Sequence, residues 1–167
     1  MTDLASLQAR LHALLQEIFG PVSPSGDTGG FFFPRGSAGI IVVLREPENV
    51  PPCVQVASPV VTAVPKSPEL LDTLNTINGN IPFGTAYWAN DYVWFDTYLI
   101  AETLDRPELE EAIKAIGEWA DSVDDAFAQR YGGTLPFAPQ EPPPGAWTTQ
   151  TASSVGAPGP PPAGAVG

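Results

Sequence analysis

The chain has 167 residues, with 19 acidic and 7 basic side chains and a formal charge of −12. This charge excludes ordinary nucleic-acid binding, which depends on lysine and arginine at the phosphates, and it opposes contact with anionic membranes. One cysteine (Cys53) cannot form an intrachain disulfide, and with one histidine (His12) a zinc site or a catalytic triad is poorly supported.

The first helix is predicted from Leu4 to Phe19, where apolar residues recur at three- and four-residue steps along one stripe. Asp3 can cap its start, and Gly20-Pro21 ends it. An acidic Asp3 and helical spacing are not typical of a signal peptide, and no stretch approaches the roughly 20 apolar residues that span a bilayer. We therefore expect a cytoplasmic protein that does not insert into membranes.

Three strands are predicted next, over Phe31–Phe33, Ile40–Arg45 and Cys53–Val64, because these segments are rich in β-branched and aromatic residues. Residues 34–39 between the first two are typical of a hairpin loop. Pro59 has no N–H to donate, so it should interrupt the third strand or lie at an edge.

A short helix is predicted to begin at Ser67-Pro68 and to end at Gly79, where we expect a left-handed C-terminal cap. Two more strands, Phe83–Ala89 and Tyr92–Ala101, flank Asn90-Asp91. Asn and Asp tolerate positive φ better than most residues, so these two favour a tight hairpin.

The last helix is predicted from the capping-box spacing of Asp105 and Glu108 to Gly132-Gly133. Residues 102–125 carry nine acids and two bases, a pattern that favours a solvated face over a patch for a basic partner. No catalytic, metal or cofactor motif is recognisable.

This order of elements predicts an α+β domain over residues 1–133, with helix–three strands–helix–two strands–helix around one antiparallel five-stranded sheet. The following residues, 134–167, include nine prolines and five glycines among 34 residues and one charge, Glu141. Such a segment cannot bury enough apolar surface to offset its ordering entropy. We expect a disordered C-terminal tail with polyproline II character.

Aromatic side chains are concentrated in the predicted hairpin, at Tyr87, Trp88, Tyr92, Trp94, Phe95 and Tyr98. Trp88 and Trp94 could face each other across the strands in ordinary cross-strand packing. The alternative is an exposed aromatic surface for a peptide.

Several features together resemble the YbjN and type III secretion chaperone-like superfamily, especially its actinobacterial members. They are Leu74-Asn75 in the short helix, the aromatic hairpin Tyr87–Phe95, Leu104 and Leu109 before the long acidic helix, and the ending from Asp121 to Gly133. With the element order, the resemblance covers about residues 4–133. It implies a chaperone-like module without catalytic residues or cofactors, often a homodimer, that holds a peptide or protein client.

Three hypotheses remain open from the sequence. In the first, a chaperone-like module contacts a client through Tyr87, Trp88, Tyr92 and Trp94. In the second, a regulatory scaffold recruits partners through the tail segments Pro142–Pro144 and Pro160–Pro162. In the third, an enzyme would have to work with Asp, Glu or Tyr alone, without a metal or cofactor motif.

Overall fold

The computed structural model describes residues 3–25 and 29–137. The elements in chain order are α1 (Leu4–Phe19), β1 (Phe31–Arg35), β2 (Ala38–Arg45), β3 (Cys53–Thr62), α2 (Pro68–Asn78), β4 (Thr85–Ala89), β5 (Tyr92–Ile100) and α3 (Arg106–Tyr131). The strands form one antiparallel sheet in the order β1-β2-β3-β5-β4. The predicted fold class is therefore confirmed. The predicted tail begins at residue 134, but residues 134–137 are described and contact the sheet through Thr134 and Phe137. Its remainder, residues 138–167, lies outside the described residues.

Each helix begins at a side chain that accepts a hydrogen bond from the first turn. Asp3 accepts from the Ser6 N–H at 3.0 Å, and Ser67 and Asp105 accept from residues three positions ahead. The left-handed cap predicted at Gly79 is wrong, since its φ is −72° and its ψ is −14°. The chain instead stays right-handed there, and the Gly79 N–H donates to the Asn75 carbonyl.

Several strand ends differ from their predicted positions for local backbone reasons. Pro34, predicted in a loop, lies in β1 opposite Gly39, and β1 is an edge strand where a missing N–H is tolerated. Phe83 lies before β4, because Gly84 has a φ of +94° and interrupts the extended backbone. Strand β3 ends at Thr62, since Ala63 also has positive φ.

Two predictions, one about a turn and one about a strand, are confirmed. Asn90 and Asp91 have φ values of 53° and 64°, which produces the two-residue hairpin between β4 and β5. The register of β3 shifts between Pro59 and Val61, so Pro59 interrupts the ladder with a bulge.

The main core lies between the three helices and one face of the sheet. Alternate strand residues such as Ile40, Val56 and Phe95 pack there against Leu11 of α1 and Ile113 of α3. The 26-residue helix α3 contacts β2, β3 and β5. Fully burying each such aliphatic side chain contributes about 1.5–3 kcal/mol, so this interface supplies most of the stability.

Acidic residues of α3 also hold the β1–β2 turn. Asp121 accepts hydrogen bonds from the backbone N–H and the hydroxyl of Ser37, at 3.2 and 3.1 Å. The Ser37 hydroxyl also contacts Asp124, which is buried, and burial raises the pKa of the Asp124 carboxyl. The β1–β2 hairpin is thus fixed to the helix layer at its turn.

The segment after α3 turns back onto the sheet. Thr134 exchanges two backbone hydrogen bonds with Thr62, each 2.9 Å long. Gly132 and Gly133 make this turn with φ values of +77° and +98°. A side chain on Gly133 would overlap the Thr62 carbonyl oxygen, whereas one on Gly132 would meet nothing within 4 Å.

We predict that Gly133→Ala lowers the free energy of unfolding more than Gly132→Ala. Each substitution places Ala in backbone space that costs about 1–3 kcal/mol, but only Gly133→Ala also pushes Thr134 away from Thr62. Urea unfolding of both variants measures the difference. Equal losses would show that the Thr62–Thr134 pairing contributes nothing.

Candidate functional site

The face of the sheet opposite the helices, called the outer face, has an apolar centre of its own. Ile41, Ala57 and Trp94 form a separate cluster there, and Phe32 and Tyr92 pack against it. Trp94 is 3% exposed and Ile41 is 7% exposed. Among the described residues, no helical side chain belongs to this cluster.

Three of the four predicted binding residues lie together on the outer face. Tyr87 is directly opposite Trp94 in the β4–β5 register. The Tyr92 ring stacks on Trp94, with ring centroids 5.4 Å apart and an interplanar angle of 29°. Tyr87, Tyr92 and Trp94 are called the aromatic cluster below.

Trp88 lies on the helix side of the sheet. It pairs in register with the core residue Val93, packs against the main core, and donates its indole N–H to the Val64 carbonyl at 2.8 Å. The prediction that Trp88 faces Trp94 across the strands is wrong. Their register partners are Val93 and Tyr87, so strand alternation sends the two rings to opposite faces.

A polar cluster continues the outer face beside the aromatic residues. The Gln55 amide donates to the Asp96 carboxylate and to the Tyr98 hydroxyl oxygen, each at 2.7 Å. The Tyr87 hydroxyl donates to the same Asp96 oxygen at 3.1 Å. The Arg45 guanidinium donates through Nε to the side-chain oxygen Oε1 of Gln55 at 2.9 Å. Gln55 and Asp96 are buried, and their hydrogen bonds offset the cost of removing polar groups from water.

Burial controls the titration of this polar cluster. It raises the pKa of Asp96, although hydrogen bonds from Gln55 and Tyr87 favour the carboxylate. Burial, followed by the nearby Asp96 charge, also raises the pKa of Tyr87 and raises that of Tyr98 to about 12. Both tyrosines therefore keep their protons at neutral pH and act as donors to Asp96 or as neutral contacts.

Our sequence reasoning did not identify Arg45, Gln55 or Asp96, and it counted Tyr98 among the hairpin aromatics but not among the binding residues. The available signal was the two-residue step in β5, because Asp96 and Tyr98 follow Trp94 at alternate positions and share its face. Gln55 gave no comparable signal, since its partners come from another strand.

The end of the described chain also lies on the outer face. The Phe137 ring contacts Phe32, with ring centroids 5.1 Å apart and an interplanar angle of 45°. A side chain on Gly39 would collide with both rings. Gly39 thus leaves the space in which Phe137 lies against β1 and β2.

Within residues 3–25 and 29–137, no group of three or more His, Cys, Asp or Glu side chains is arranged to hold a metal ion. None of the helices in these ranges has the length and apolar composition needed to cross a membrane.

We predict that Asp96→Asn removes a pH-dependent loss of stability. Because the folded-state pKa of Asp96 lies above its ordinary value of 3.8, the unfolded chain ionises first, and stability falls as pH rises from that value towards the folded pKa. The free energy of unfolding of Asp96→Asn minus that of the unmodified chain should therefore increase over this range.

Urea unfolding at a series of pH values from 3 to 7 measures this difference. Asp72→Asn, on an exposed position of α2, is the matched control for removing one acid. A parallel pH response of the two variants would show that Asp96 ionises as easily in the folded chain as in the unfolded one.

Comparison with known proteins gives the family. A family model described as "T3SS (YopN, CesT) and YbjN peptide-binding chaperone 1" matches residues 5–139. A chain from the crystal structure of the ExsC–ExsE complex has the same fold, with a TM-score of 0.58 and 14% sequence identity over 74% of this chain and 96% of that one. A search of curated proteins found no significant match. Since the family model spans most of the sequence, the chain belongs to the family of type III secretion and YbjN peptide-binding chaperones.

Proposed function

We propose that the protein is a non-enzymatic, cytoplasmic chaperone-like module that holds an extended segment of a protein client on the outer face of its sheet. Family membership supports a peptide or protein partner. The observation that carries the proposal is the grouping of Tyr87, Tyr92 and Trp94 on one face, around an apolar centre beside hydrogen-bonding side chains. Trp88 supports the hairpin from the other face.

The edges of the sheet are less suited to a client than the outer face. On β4, the Asn78 side chain accepts from the Ala86 N–H at 2.7 Å and donates to the Ala86 carbonyl at 3.0 Å. On β1, Pro34 has no N–H to offer. Both edges therefore oppose the backbone pairing by which a peptide extends a sheet.

The chemistry of the outer face indicates what kind of client it accepts. Aromatic rings offer large contact areas at low entropic cost, and Tyr also presents a hydroxyl to the peptide backbone. Residues 1–133 carry a net charge of −11. The outer face itself therefore favours apolar client side chains, while the net charge of the whole domain, much of it on α3 at the other side of the sheet, attracts basic clients only at long range.

The arrangement of the acids supports binding rather than catalysis. Asp96 and Asp124 are both buried with a raised pKa. Asp96 belongs to the outer face, whereas Asp124 lies on α3 and contacts the β1–β2 turn. The two carboxyl groups are therefore not paired in one site as general acid and base.

Neither the family match nor the structural neighbour supports the scaffold hypothesis, in which the tail recruits partners. The homodimer implied by the resemblance stays a prediction, which sedimentation of the full chain would test.

We predict that Tyr92→Ala weakens client binding at least tenfold, the effect of losing about 1.4 kcal/mol at an aromatic contact. The probe is a fluorescent 12-residue peptide selected from a random library on the immobilised full chain. Anisotropy titration gives its dissociation constant for each variant.

Tyr131→Ala is the matched control, because Tyr131 is also half-buried but packs on Phe127 and bonds Thr73 on the helix side. Its affinity should match that of the unmodified chain. The site assignment is wrong if the two variants bind equally, and the function itself is wrong if the library yields no binding peptide.

A further inference from the structure

We propose that the proline segment Pro142–Pro144 of this chain docks on the aromatic cluster of its own outer face and competes there with a client. The competition rests on the proposed function, whereas the docking does not. Four observations support it: the burial of the outer face, the point where the described chain ends, the length of the following segment, and its chemistry.

Two residues at the centre of the outer face have little contact with water. The helices occupy the opposite side of the sheet, yet Trp94 and Ile41 are nearly as buried as the core residues that face the helices. A Trp ring on an open sheet face would expose its upper surface to water. Tyr92 stacks on the Trp94 ring and Phe32 packs beside it, and these neighbours on the same face supply part of its burial. The docked segment would supply a layer above them.

The chain itself leads to this surface. After α3 it pairs with Thr62 through Thr134, and Phe137 then lies against Phe32 and Gly39. The residues that follow Phe137 thus start from the outer face, at the β1–β2 side of the sheet. This contact makes the tail a local occupant with a high effective concentration, while a second copy must associate from solution.

Register fixes the distance that the tail must cover. Ile41 pairs with Ala57 in the antiparallel β2–β3 register, so Gly39, two residues earlier, lies level with Pro59. Pro59 pairs with Trp94 of β5, and Trp94 pairs with Tyr87 of β4. The line from β2 across β3 and β5 to β4 is three strand spacings, or about 14 Å. Pro142 lies five residues past Phe137 and reaches about 15 Å in a polyproline II conformation.

The chemistry of the two surfaces is complementary. Proline-rich segments bind aromatic surfaces in the polyproline II conformation, which is already extended and loses little entropy on docking. Tyr87, Tyr92 and Trp94 provide such a surface. The first of the two triple-proline segments therefore fits both the reach and the chemistry.

Methyl NMR of the full chain tests the docking without any client. An uncharged gadolinium chelate broadens methyl groups that solvent can reach, and Ile41 and Ile40 are adjacent β2 residues on opposite faces. One variant carries Pro142→Ser, Pro143→Ser and Pro144→Ser. The matched control carries the same three changes at the second segment, Pro160→Ser, Pro161→Ser and Pro162→Ser.

We expect the Ile41 methyl groups to broaden several-fold more in the 142–144 variant than in the unmodified chain. The 160–162 variant should behave like the unmodified chain, and Ile40 should stay protected in all three, which shows that the fold is intact. Equal Ile41 broadening in all three chains would overturn the proposal. Protection that disappears on dilution would also overturn it, in favour of a second copy as the cover.

The selected peptide then tests competition separately. It should bind the 142–144 variant at least threefold more tightly than the unmodified or 160–162 chains. Unchanged affinity together with exposed Ile41 methyl groups would refute competition while leaving the docking in place. Failure to select any peptide on both the unmodified chain and the 142–144 variant would refute the proposed function, and the methyl result would still decide the docking.

Discussion

The structure depends on a sheet that is apolar on both faces but carries helices on only one. Strand β2 runs through four consecutive β-branched residues, Ile40 to Val43, and all of them are buried. Alternation sends two of them to the helices and two to the outer face. A sheet of this kind needs a second cover, and this requirement links the stability of the domain to its binding chemistry.

Polar groups limit how that second cover can bind. Gln55 and Asp96 lie in the middle of the sheet, and their hydrogen bonds keep them from being buried without partners. They divide the outer face into a polar cluster and the aromatic cluster around Trp94. A purely apolar layer would cost the polar cluster its solvent contacts without replacing them, whereas an extended peptide has its own backbone groups to offer.

Contacts with α3 hold the β1–β2 hairpin in place, and Phe137 packs on this hairpin. Ser37 at the β1–β2 turn is bonded to Asp121 of α3, and Arg35 forms an ion pair with Glu118 at 3.1 Å. The same hairpin carries Phe32, on which Phe137 packs from the other side. Contacts on one side of the sheet thus position Phe137, the last described residue, on the other side.

The element order, the helix starts and the β4–β5 turn were predictable from the sequence, because these depend on local signals. Capping by Asp3, Ser67 and Asp105 and the positive φ of Asn90 act within a few residues, and each was predicted correctly. Gly79 was the local exception, since the backbone continued right-handed where a left-handed cap was expected.

Packing of the helices settled which face of the sheet is covered. The two-residue turn at Asn90 and Asp91 already sends Trp88 and Trp94 to opposite faces, but nothing local indicates which of the two faces lies against the helices. The polar cluster joins Gln55 to Asp96, 41 positions apart, so no local pattern could reveal it. Residues brought together from strands that are distant in the sequence share no local signal, and for that reason the candidate site was only partly predictable.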